Sequence, residues 1–209
     1  MTSLILKDLK FRWLFAVGSV IVLLLVAAAT ETYSYLEMSY FLYPIICCCL
    51  LFGNATEIEL IRTSNTRLST VLMMRYIMTY FFTAFPAAAV LLFVSAENGV
   101  KSAVALVTTL LFTTSFSLLA RVITANPYGA VLFSLIVHTV AVASFKVILV
   151  ALFNISKQKT LQRFDPYYAE QISNRGVFIN NRLIVTGAAL AVILVAYILM
   201  RRREKFYAE

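Results

Sequence analysis

The chain has 209 residues, 61% of them hydrophobic and only 13% charged, with a formal net charge of +8 and a mean hydropathy of +0.86. A soluble globular chain carries about 25% charged residues, so this composition excludes an ordinary soluble domain and predicts an all-α, polytopic membrane helical bundle. The basic residues flank apolar runs, so the excess charge reads as topological signalling and contact with anionic lipid headgroups rather than nucleic-acid binding.

A membrane-crossing helix needs about 20 predominantly apolar residues, and by that measure six transmembrane helices are expected within a single domain over 1–209, at roughly 12–30, 37–53, 71–95, 102–124, 127–153 and 183–200. Before the first, Leu4, Ile5, Leu9 and Phe11 alternate with Lys7, Asp8 and Lys10. This is either a short interfacial helix or the frayed start of the span. The first apolar run ends at Ala27-Ala28-Ala29, as a secretory signal does, but it is long for a signal and is read as a retained helix.

The second span is short, carries Glu37 at its outer end and is interrupted by Pro44. Its consecutive cysteines, Cys47, Cys48 and Cys49, are badly placed to pair with one another and have no metal-ligand spacing nearby, so they read as small packing residues. A polar connection follows. Thr56 with Glu59 three residues later forms a capping box, and Glu57 and Glu59 lie at the positive end of the resulting helix dipole. Ile58 and Ile61 share a face, Arg62 follows, and the Thr63–Thr66 run ends the element. The expectation is a short cytoplasmic helix over about 56–66 with a mixed acidic and apolar surface.

Pro86 is expected to kink the third span. In the fourth, Thr109, Thr113 and Ser117 recur every four residues, the spacing of small hydroxyl side chains at helix contacts, with pathway lining as the second reading. The fifth holds His138 and Lys146. Ionisable groups at membrane depth are candidate functional residues, although Lys146 is near enough to the outer end to snorkel and His138 has no evident carboxylate partner. The stretch 154–182 is expected as an outer, partly helical loop broken at Asp165-Pro166. The sixth span carries the small pair Gly187 and Ala191 and stops at Arg201-Arg202-Arg203. Lysine and arginine counts favour cytoplasmic N- and C-termini.

This pattern resembles the permease subunit of type-2 ATP-binding cassette exporters (the ABC-2 family). The resemblance is carried by six spans with cytoplasmic ends, and by Glu57, Glu59, Leu60, Thr63, Ser64 and Arg75 around the second connection. It implies that Glu57, Ile58, Glu59, Ile61 and Arg62 form a coupling helix that docks on a separate ATPase subunit. It implies further that a second permease copy or a homologous permease completes a dimer, and that ATP and Mg bind the ATPase rather than this chain. The cargo implied is amphiphilic (a peptide, drug or lipid) and the location is a bacterial cytoplasmic membrane. The polar 154–182 stretch departs from the apolar re-entrant helices common there. In keeping with a borrowed ATPase, no G-x-x-x-x-G-K-[ST] motif occurs in the sequence. Lys146, His138, Thr109, Thr113 and Ser117 are the candidate pathway-lining residues. The competing reading is a six-span substrate-capture subunit of an energy-coupling-factor vitamin importer. A membrane-embedded enzyme has thin support in one histidine and one lysine, so no catalytic residue, metal site or cofactor is expected on this chain.

Overall fold

Two asparagines set where the last two helices begin. Asn126 Oδ1 accepts the Tyr128 amide at 3.0 Å, with Pro127 in the first helical position, where its missing N–H costs nothing. Asn174 Oδ1 accepts the amides of Gly176 and Val177 at 2.9 and 3.2 Å. The computed structural model describes residues 13–25, 40–50, 67–94, 99–124, 126–153, 166 and 174–206, with backbone alone for 49–50, 68, 94, 141–153 and 203–206.

Among the described residues the chain is all-helical, with six helices and no strand. These are α1 (Trp13–Leu25), α2 (Leu42–Leu50), α3 (Leu68–Val94), α4 (Gly99–Thr124), α5 (Pro127–Phe153) and α6 (Arg175–Phe206). Among the described residues three stretches are long and apolar enough to cross a membrane: Ser69–Phe93, Gly99–Thr124 and Arg175–Arg202. Trp13–Leu25 is a shorter apolar helix, and the Pro127–Val140 part of α5 is apolar too.

The structure departs from the sequence expectation at two places. Residues 175–182, assigned to the outer loop 154–182, are the first two turns of α6, because Asn174 caps a helix eight residues before the apolar run begins. Pro44, expected to interrupt the second span, lies in the first turn of α2, where the amide it lacks has no intrahelical acceptor in any case.

The core is organised around α4, which packs against α2, α3, α5 and α6. In α4, 61% of the most apolar window is buried, against 22% in α6, so α4 is central and α6 peripheral. Two apolar clusters occupy different levels. One joins Leu23, Tyr40, Phe41, Ile45, Tyr80, Ala84, Leu91, Leu106 and Leu110 across α1 to α4. The other joins Cys48, Tyr76, Leu118, Val122, Ala196 and Met200 where α6 meets α3 and α4. Lipid tails are as apolar as leucine, so such contacts gain from close packing rather than from leaving water. The buried small residues Ala84, Ala87 and Ala88 of α3 and Ala103 and Ala105 of α4 serve that end.

Gly18 of α1 lies against Tyr43 of α2. A Cβ there would run into the Tyr43 hydroxyl, which donates to the Phe15 carbonyl at 3.2 Å. Gly18→Val is therefore expected to destabilise the bundle by about 1–3 kcal/mol, the usual cost of overpacking. A lowered thermal midpoint in detergent is the measurement, and an unchanged midpoint refutes the contact.

Candidate functional site: a polar seam along α4

Membrane-length helices leave few places for polar side chains, and here they collect on the buried face of α4. Ser102, Thr109, Thr113, Thr114, Ser115, Ser117 and Arg121 are all buried. Ser69, Arg75, Thr79 and Thr83 of α3 and Asn181 and Arg182 of α6 are buried as well. Two tyrosines tie α3 to this face: the Tyr76 hydroxyl lies 3.2 Å from Thr114 Oγ1, and the Tyr80 hydroxyl donates to the Val107 carbonyl at 3.0 Å.

Arg182 is the centre of the seam. It is 4% exposed. Its Nη1 donates to Thr109 Oγ1 at 2.9 Å, Thr108 Oγ1 at 3.0 Å and the Ala105 carbonyl at 3.3 Å. Its Nη2 donates to the Pro166 carbonyl at 2.9 Å and to Asn181 Oδ1, which also takes Nε at 2.8 Å. Thr109 Oγ1 in turn donates to the same Pro166 carbonyl at 3.0 Å. One planar guanidinium thus joins α4, α6 and the connection between α5 and α6. Its fork of donors suits this task, and a lysine ammonium would not reproduce it.

No family model, curated protein or solved structure matches this chain.

The candidates named from the sequence fall into three groups. Thr109 is in the seam and serves Arg182 and Pro166. Thr113 and Ser117 are buried beside it, but their hydroxyls donate to their own helix, to the Leu110 carbonyl at 3.1 Å and the Thr113 carbonyl at 3.3 Å. Such back-bonding satisfies a hydroxyl locally and leaves it suited to packing. His138 is buried on α5 and meets Phe41 edge-on, with ring centroids 5.6 Å apart. Lys146 lies in the second half of α5, where the backbone alone is described, so its side chain is outside the described residues. Glu57, Ile58, Glu59, Ile61 and Arg62 also lie outside them.

Sequence reasoning does not show that Arg75, Arg121 and Arg182 are buried, as they are among the described residues. Arg75, Arg121 and Arg182 are 3%, 7% and 4% exposed. In the sequence each reads as a charge flanking an apolar run. For Arg182 a signal is present: taking Asn174 as a helix cap puts the arginine two turns inside α6. A second network invisible in the sequence joins Ser19, Tyr40 and Thr83. Ser19 Oγ and the Tyr40 hydroxyl lie 2.7 and 2.8 Å from the Thr83 carbonyl oxygen and against each other, so two hydroxyl protons serve three contacts.

Proposed function

We propose that this chain is a membrane-spanning permease subunit of an ATP-binding cassette exporter. In this reading it has six spans and cytoplasmic termini, acts as a dimer with a second permease in a bacterial cytoplasmic membrane, and moves an amphiphilic cargo. ATP and Mg are used by a partner ATPase gripped by the Glu57–Arg62 segment. The observation that carries the reading is the set of polar contacts between α3, α4 and α6, three helices of membrane length: Tyr76 on Thr114, Tyr80 on the Val107 carbonyl, and the buried Arg182 on Thr108 and Thr109. Polar groups at such depth are expensive and recur where a bundle handles polar cargo or moves between two packings. The Thr56-x-x-Glu59 pattern with Glu57 in the sequence before α3, and a sequence with no phosphate-cradling glycine motif, agree with an external motor.

The test is affinity purification of the tagged chain in mild detergent from its native host. An ATPase subunit is expected to co-purify, and Glu57→Lys with Glu59→Lys is expected to lose it while membrane insertion is kept. An ATPase that stays bound to the double variant counts against docking at that segment. Full activity of the chain purified without any ATPase overturns the reading.

A further inference from the structure

Contacts between the helices fix their levels relative to one another. α3 runs antiparallel to α4: Tyr76 meets Thr114, Tyr80 meets the Val107 carbonyl, and Gly99 at the start of α4 abuts the Leu91 and Leu92 carbonyls. Arg182 of α6 reaches Ala105, Thr108 and Thr109. By the rise of a helix, these acceptors lie about 9–15 Å below Gly99 along α4. On α3 that level starts beside Tyr80 and runs towards Leu91, a stretch that includes Thr83, whose carbonyl receives Ser19 from the middle of α1. The guanidinium is thus level with the middle of α1 and well inside α3 and α4, although in sequence Arg182 directly precedes the apolar run of α6.

The surface between this level and the Gly99 end is apolar on all three long helices. Past Thr83, α3 exposes only Phe85, Ala89, Leu92 and Phe93 among its described residues, and Phe93 is 89% exposed. α4 exposes Val100, at 71%, and Val104. On α6, Ile179 is exposed a turn before Arg182; Asn180 beside it is the one exposed polar side chain between Arg175 and Leu183. Exposed charge on this part of α6 begins at Arg175, two turns beyond Arg182. Large apolar side chains bared together around the end of a bundle mark contact with another apolar medium rather than with water.

We infer that bilayer hydrocarbon covers the bundle out to the level of Gly99 and Arg175, that acyl chains lie against Phe93, Val100 and Ile179, and that Arg182 is therefore an intramembrane cation. The competing edge is Arg182 itself. The apolar run from Leu183 to Met200, bracketed by Arg182 and Arg201, is about 27 Å long, close to a hydrocarbon thickness of about 30 Å, so length alone favours it. The contacts decide against it. An edge at Arg182 cuts α1 at its midpoint and leaves Leu92, Phe93 and Val100 bare in water. The deeper placement makes α4 about 39 Å long against the same hydrocarbon, a mismatch that tilt accommodates. A guanidinium at depth is costly, and here its donors are taken by Thr108, Thr109, Asn181 and the Ala105 and Pro166 carbonyls. This placement rests on the chain crossing a bilayer; it does not require that the chain transports anything.

The test places single tryptophans on the full chain in a Trp13→Phe background, since Trp13 is the one native tryptophan. Each variant is reconstituted in phosphatidylcholine vesicles brominated either near the headgroup or near the acyl-chain end. Leu190→Trp marks the middle of α6, and Phe93→Trp and Ile179→Trp mark the disputed level. Phe93→Trp exchanges one exposed aromatic ring for another, so it carries the expectation alone if Ile179→Trp does not fold. Both outer probes should lose emission to lipid brominated near the headgroup and resist quenching by aqueous acrylamide, while Leu190→Trp should be quenched most by bromine near the chain end. If Leu190→Trp responds to bromine but the outer probes are reached by acrylamide and not by brominated lipid, the edge lies at Arg182; the inference is then overturned and the membrane reading stands. If no position responds to bromine, the membrane reading itself fails and the inference with it.

Discussion

Replacing Arg182 by leucine is expected to destabilise the bundle severely, by about 3 kcal/mol or more, since it strips charge-assisted hydrogen bonds from acceptors that stay buried. The Pro166 carbonyl keeps Thr109 Oγ1 as a donor, but the Ala105 carbonyl and the Thr108 hydroxyl lose the contact to α6. Arg182→Lys should recover only part of the loss, because an ammonium on a flexible stem cannot hold three helical acceptors and a carbonyl on a separate segment in one plane. The position of the damage is as informative as its size. Pro166 is where the connection between α5 and α6 is tied to α4 and α6, so proteolysis in 154–173 should accelerate in the leucine variant before the helices themselves are cut. Measuring the thermal midpoint alongside the rate and site of cleavage separates the two effects. A variant that melts lower with no change in the cleavage pattern would show that Arg182 braces α6 against α4 but does not fasten the connection.

The ease with which each part of this fold is read from sequence follows from how local its cause is. The helices α3, α4 and α5 are visible because apolar runs of membrane length are local; the Asn126 cap and Pro127 that open α5 in the structure are local too, though the sequence reading places the span by its apolar run alone. The start of α6 is hidden because Arg175 and Arg182 look like loop charges when composition alone is weighed. Nothing adjacent in sequence says that Arg182 is buried: its acceptors lie at 105, 108, 109 and 166, and only the fold brings them together. The same holds for Arg75 and Arg121. Thr109 stands out in the sequence for its spacing with Thr113 and Ser117, yet that spacing does not distinguish a hydroxyl that reaches another helix from two that turn back on their own. Among the five candidate pathway-lining residues, the one that meets the buried guanidinium is thus legible as a contact residue but not as its partner.

Proline in the middle of a membrane helix poses a specific problem that the Ser19–Tyr40–Thr83 network is positioned to relieve. Pro86 lies inside α3, which continues through it from Leu68 to Val94. Its missing amide leaves the Phe82 carbonyl without its usual partner, and its ring crowds that turn, so carbonyls there are open to other donors. One residue on, the Thr83 carbonyl receives hydroxyls from α1 and from the residues that precede α2, all at fully buried positions. Tyr40→Phe should therefore cost about 1–2 kcal/mol, and Ser19→Ala with Tyr40→Phe more than either alone, because the last donor from outside α3 is then gone. The decisive comparison places Tyr40→Phe in a Pro86→Ala background. Alanine restores the amide and the regular ladder, so the carbonyls of this turn depend less on outside donors, and the tyrosine hydroxyl should then be worth at least about 0.5 kcal/mol less than in the wild type, a coupling that a double-mutant cycle resolves. Strict additivity of the two substitutions would mean that the hydroxyls bind the Thr83 carbonyl for reasons unrelated to the proline. In that case α1 and the start of α2 are held to α3 by ordinary helix-to-helix hydrogen bonding rather than by repair of an interrupted turn.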